Sequence, residues 1–181
     1  MKKRHILVAI GAAALATSVI LSGCASQQIQ TYAAENPVLD LQQYFNGTLD
    51  GYGVFTDRSG TVVKRFSVVM KCSWTGGQGI FDETFSYSDG STQKRVWRLT
   101  KLADGRYTGR ADDVVGEAAG EGLGNTFHWN YTLSLPVGGR VFEVQMDDWM
   151  YLMTDKVMLN KTAMSKFGVR MGEVTLSFFK R

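Results

Sequence analysis

The sequence predicts an all-β protein, a single antiparallel up-and-down β-barrel of eight to nine strands preceded by a short helix. Three observations lead there. From Thr48 onward apolar and polar residues alternate with period two, the pattern of strands with one covered face. Turn signals such as Asp57-Arg58-Ser59-Gly60, Ser88-Asp89-Gly90 and Asp104-Gly105 interrupt the alternation at intervals of roughly 10 to 15 residues. No stretch between strands is long enough for a crossover, and a meander of this length removes its exposed edges by closing. A β-sandwich is the competing architecture, and the short connections favour the barrel.

Taken in order, Ala25 to Glu35 is small and polar and reads as a tether. Asn36-Pro37 supplies a cap and a proline at the first helical position, so a short helix is expected through Val38 to Phe45, ended by Asn46-Gly47. Thr48 to Thr56 is a strand bearing Gly51 and Gly53. Val62 to Trp74 places Phe66, Val68, Met70, Cys72 and Trp74 on one face. After Gly76-Gly77, Phe81, Glu83, Phe85 and Tyr87 share a face, and the hairpin returns through Thr92–Lys101 with Arg95, Trp97 and Leu99 in phase. Tyr107–Val115 is the next strand. The glycine-rich run Gly116–Gly124 lacks the Lys-Ser/Thr ending of a phosphate loop and is expected to be a flexible lid or wide turn. Phe127, Trp129, Tyr131, Leu133 and Leu135 line one face of a strand whose other face carries His128 and Asn130. Val141–Leu152 groups Phe142, Val144, Met146, Asp148 and Met150, and Asp155–Ala163 and Val169–Phe179 complete the series.

The amino terminus is of another kind. Lys2, Lys3 and Arg4 precede an apolar run from Ile6 to Leu21, too short and wrongly flanked for a spanning helix. The run closes on Leu21-Ser22-Gly23-Cys24, which resembles the lipobox of bacterial lipoproteins. That resemblance implies cleavage before Cys24, lipidation of its thiol, and anchoring by more than one acyl chain. Ala25 and Ser26 follow without an aspartate, which by similarity to lipoprotein sorting rules implies the outer membrane. The expected organisation is therefore signal peptide 1–23, lipidated tether 24–36 and barrel 37–181.

Composition narrows the function. Of the twenty Lys and Arg, three lie in the leader, leaving seventeen against seventeen Asp and Glu. A formally neutral domain without clustered cations is not a nucleic-acid binder. Beyond Cys24 the lone thiol is Cys72, set in an apolar alternation and expected to be buried and inert. His128 is the one histidine past the leader, which leaves no zinc set and no Ser-His-Asp constellation. No cofactor motif is recognisable.

Glu83 is the first candidate for chemistry, because its face otherwise holds Phe81, Phe85 and Tyr87. A carboxyl among aromatics is desolvated and its pKa raised, which suits a ligand anchor or general acid. An internal pair with Arg95 on the adjoining strand is the plainer alternative. Asp148, in phase with Val144 and Met146, is the second candidate, and Asp112-Asp113 repeats the paired acids.

Several runs carry a wider resemblance: Asp82-Glu83-Thr84-Phe85-Ser86-Tyr87-Ser88-Asp89-Gly90, Arg95-Val96-Trp97, and Asp113-Val114-Val115-Gly116-Glu117-Ala118. Trp129-Asn130-Tyr131, Asp147-Asp148-Trp149-Met150 and Asn160-Lys161 extend it over nearly all of the chain past Cys24. The chain resembles a bacterial lipoprotein family catalogued as domain of unknown function 3833. The resemblance implies a lipocalin-like, or calycin, barrel and no particular activity. The Gly-x-Trp opening of lipocalins is replaced here by Gly47-Thr48-Leu49.

The first expectation is a binding module that holds a fatty acid, lipid fragment or other small hydrophobic ligand in the barrel. Glu83, Phe85, Tyr87, Arg95, Trp97, Trp129, Tyr131 and Asp148 would form its site, with the membrane as partner through Cys24. The second is a cofactor-independent enzyme, of isomerase or hydrolase type, on lipid-derived substrates. The third is a structural lipoprotein whose aromatics simply fill the barrel.

Overall fold

The computed structural model describes residues 27–181. The expected signal peptide, the lipobox and Cys24 lie outside the described residues. Ten strands follow one another: β1 (Gly47–Asp57), β2 (Val62–Thr75), β3 (Gln78–Tyr87), β4 (Thr92–Lys101), β5 (Tyr107–Arg110), β6 (Val114–Leu123), β7 (Thr126–Val137), β8 (Arg140–Leu152), β9 (Val157–Lys166) and β10 (Val169–Lys180). Each pairs antiparallel with the next, and β1 pairs with β10 from Leu49↔Lys180 to Asp57↔Gly172, which closes the barrel.

The count is ten, not eight or nine, and one stretch accounts for the difference. The single strand expected over Tyr107–Val115 is broken by a turn at Ala111–Asp113, closed by the Val114 amide donating to the Ala111 carbonyl at 3.0 Å. The glycine-rich run expected as a lid is instead most of β6. Gly116 adopts φ +73° at an irregularity where the β6–β7 register shifts between Val115 and Ala119. Gly120 has another reason. A Cβ there would lie 2.2 Å from the Trp129 ring and 2.7 Å from the His128 carbonyl oxygen. At Gly109 on β5 it would lie 2.8 Å from the same indole. These are strand positions cleared so that Trp129 can lie against the inner wall.

The helix expected over Val38 to Phe45 is not confirmed. One turn alone is present, α1 (Leu41–Tyr44), and Asp40 caps it by accepting from the Gln42 and Gln43 amides at 2.9 and 3.1 Å. This turn stoppers one end of the barrel. Phe45 stacks on Phe81 at 5.1 Å between centroids and meets Phe178 edge-on at 5.6 Å. The Trp74 indole nitrogen donates to the Phe45 carbonyl at 2.9 Å. Residues from Gln27, expected as tether, lie against the barrel. Ile29 is buried in a 3-10 turn (Ile29–Tyr32), and the Tyr32 ring sits 5.5 Å from that of Tyr151.

The alternation read from the sequence groups faces correctly; the structure turns the aromatic face inward on β2, β3, β4 and β7, and on β8 the face of Val144, Met146 and Asp148. His128 points outward, stacked on Trp149 and bonded through Nε2 to Asp147 at 2.6 Å. Cys72 is free and buried, and burial pushes its thiol well above the usual range, so it is an inert core residue.

Replacing Gly120 by Ala is expected to destabilise the fold by about 1–3 kcal/mol, because the added methyl meets an indole and a backbone carbonyl at once. Urea denaturation reads it; an unchanged midpoint would mean that β6 is not held against Trp129 as described.

Candidate ligand-binding cavity

Stoppered at one end, the barrel encloses a cavity of about 850 Å³ that runs toward the opposite rim. Its lining reaches Ser91, Thr92, Val137 and Val141 at the β3–β4 and β7–β8 hairpins. That volume suits a small organic ligand. The aromatics therefore do not fill the barrel, and the structural-lipoprotein expectation loses its basis.

All eight expected site residues line this one cavity. β-Sheet register brings them together. Glu83 on β3 stands directly opposite Arg95 on β4, and Phe81 opposite Trp97. On the far side Trp129 on β7 stands opposite Asp148 on β8, which in turn faces Thr162 on β9. Inward rings meet across the interior: Trp97 lies edge-on to Trp129 at 5.8 Å and to Tyr131 at 5.2 Å. Phe85 and Tyr87 stack in parallel at 6.1 Å on the way to the rim.

The polar groups form two clusters. In the first, the Arg95 guanidinium grips Asp113, with Nε 3.1 and 2.9 Å from the two carboxylate oxygens and Nη2 2.7 Å from Oδ2. Its remaining arm, Nη1, lies 3.9 Å from Glu83 Oε2, beyond hydrogen-bond reach. Glu83 Oε2 is buried and has no hydrogen-bond partner among the described residues. Desolvation raises the Glu83 pKa to about 7, with Arg95 pulling down and Asp113, Asp148 and Asp82 pushing up. Burial works against the Arg95 charge, but Glu83, Tyr131 and Asp113 more than hold it, so it stays a cation.

In the second cluster Asp148 accepts a short hydrogen bond from Asn160 Nδ2, which also donates to the Trp149 carbonyl at 3.2 Å. Desolvation raises Asp148 to about 7 despite Asn160 and Thr162. Tyr131 lies between the clusters; burial, then Asp148, pushes its phenol well up.

Asn160 and Thr162 escape the sequence reading, and Asp113, named there as one of the paired acids, is not placed in the site by it. Asp113 sits in the turn before β6, not on a strand, so no phase could assign it to the cavity. Asn160 and Thr162 are in phase with Met158 and Met164 on β9, and that polar pair inside an apolar alternation was the available signal. Glu83 is only partly the ion-pair partner that was the plainer alternative, since Arg95 is committed to Asp113. No group of three potential metal ligands occurs among the described residues.

The ten-stranded closed meander with one end stoppered and an apolar interior is a lipocalin-like barrel. Among solved structures, the S-type phycobiliprotein lyase CPES of Guillardia theta is similar, with a TM-score of 0.57 at 9% identity over 77% of this chain and 89% of that one. At that identity the likeness shows the fold. No curated protein matches the chain. The family described as Protein of unknown function (DUF3833) matches residues 18–180, and the chain belongs to that family.

Two predictions follow from the carboxyls. A carboxyl whose folded pKa lies above its unfolded value binds a proton more readily when folded. The stabilisation from Glu83 and Asp148 is therefore present near pH 4 and is lost as pH rises toward 7. Glu83→Gln is expected to flatten that decline and to narrow the gap between urea midpoints at pH 5 and pH 7.5; an unaltered gap would contradict the assignment. Asp113→Asn leaves the Arg95 cation without its fork partner, and is expected to cost about 2–3 kcal/mol in the same assay.

Proposed function

We propose that the protein is a membrane-anchored lipoprotein that carries a lipid or other small hydrophobic molecule in its barrel, held to the outer membrane through Cys24. The observation that carries the reading is the cavity itself. An unfilled interior of about 850 Å³, walled by aromatics and methionines, carries the Glu83 and Asp148 carboxyls on its sides. The similarity to a barrel whose title names a phycobiliprotein lyase supports a small-molecule role for this fold. The leader and lipobox support the anchor.

The anchor has a geometric consequence. Gln27 is bonded through Nε2 to Tyr151 and, at 2.9 Å, to Tyr32, on the outer wall toward the stoppered end. It lies three positions after Cys24, a reach of roughly 10 Å. A lipidated chain would ride close to the bilayer by that end, with its cavity opening at the other.

A second reading has one observation in its favour. Glu83 and Asp148 face one cavity and each titrates near neutrality, as acid–base catalysis on a bound substrate requires. Turnover abolished by Glu83→Gln with binding intact would establish it.

The binding reading is checked by native mass spectrometry of residues 27–181, which contain every strand of the closed barrel. A copurifying small hydrophobic adduct is expected. Val174→Trp, which places an indole in the cavity from β10, is expected to remove the adduct without lowering the melting temperature. An adduct that survives this substitution would place the ligand elsewhere.

A further inference from the structure

The charges facing the cavity are out of balance. Glu83, Asp112, Asp113 and Asp148 line it against two cations, Lys64 and Arg95. Both cations are already taken. Lys64 lies 2.9 Å from Asp89 near the rim, and Arg95 is held by Asp113 in a two-armed grip. A fatty acid carboxylate entering the barrel would meet four acids and two cations that each already face a carboxylate. Among them are the carboxyls of Glu83 and Asp148, which both line the interior. Trp97, Trp129 and Tyr131 line the same cavity and meet edge to face there, and the π face of such a ring attracts a cation.

We propose that the cavity selects amphiphiles with a positively charged nitrogen head, an amine or ammonium on an apolar body, over fatty acids and other anionic lipids. The proposal rests on the cavity-binding reading and adds the head group to it. Glu83 and Asp148 supply the counter-charge, the three aromatic rings enclose the nitrogen, and Arg95 with Asp113 forms a neutral floor. The apolar body lies along Phe66, Phe85 and Val174 toward the rim.

The site also couples binding to protons. With the cavity empty both carboxyls titrate near 7, and a bound cation favours their ionised forms, so binding expels protons and strengthens with rising pH. The groups facing them are known from every side. Arg95 comes from β4, Asp113 from the turn before β6, Tyr131 from β7, and Asn160 and Thr162 from β9. Cys72 faces Glu83 from β2, while Asp82 and Asp147 are the acids beside them in sequence. β1 and β10 bring Gly51, Leu176 and Phe178, which carry no charge.

Three ligands of one chain length separate the possibilities: decyltrimethylammonium, decan-1-ol and decanoate, titrated calorimetrically into residues 27–181 at pH 6 and pH 8. At pH 8 the ammonium is expected to bind about tenfold or more tighter than decanoate. Its affinity should fall at pH 6 while that of decanol does not change. The double variant Glu83→Gln, Asp148→Asn is expected to lose the ammonium preference and keep decanol binding, which also certifies its fold. Decanoate binding as tightly as the ammonium at pH 8, or a preference that survives the double variant, overturns the head-group assignment alone. Failure of all three ligands to bind overturns the cavity-binding reading with it.

Discussion

Everything in this structure depends on the ladder between β1 and β10. Until those two strands pair, the sheet has two edges and two equivalent faces. Their antiparallel register, Leu49 against Lys180 through Asp57 against Gly172, turns one face into an interior and the other into a surface. Burial of Leu49, Val68, Met158 and Phe178 follows from that closure, as does the desolvation of Glu83 and Asp148. Had the sheet remained open, those two carboxyls would be solvated and unremarkable in their chemistry.

Closure alone would not leave a cavity. Two devices hold the interior open at one end and dense at the other. Phe45 and the single turn of α1 push aromatic bulk into one mouth, where Phe81, Trp74 and Phe178 meet it. Farther along, the glycines at positions 51, 53, 109 and 120 remove side chains from the wall, and neighbouring Val68, Phe66 and Trp129 spread into the space. Large rings are thereby laid against the wall instead of across the lumen. The remaining volume is apolar, with polar groups set in two places on its sides.

Those polar groups follow one electrostatic rule. The Arg95 guanidinium, forked to Asp113 through Nε and Nη2, has Glu83 3.9 Å from its third nitrogen, so its charge already faces two acids. Glu83 and Asp148 are provided for differently: Asp148 by Asn160 and Thr162, Glu83 by the Arg95 charge at 3.9 Å, with no hydrogen-bond partner for its Oε2 among the described residues. A buried acceptor without a donor is costly in a resting fold. The Arg95 charge beside Glu83 offsets part of that cost.

The sequence by itself determined the all-β class and which residues share a face. Period-two alternation is a local property, visible in any ten residues, so Glu83 with Phe85 and Tyr87, or Trp129 with Tyr131, could be grouped without coordinates. It could not say that β6 is a strand, because glycines that look like a loop were there to make room for Trp129, a residue on the neighbouring strand. Nor could it give Asp113 to Arg95, or leave Glu83 only a distant share of that cation, since those facts belong to a turn reaching over a barrel wall. Alternation is unchanged when a strand is flipped, whereas closure is not. Only the tertiary structure chose the inside, and with it the chemistry.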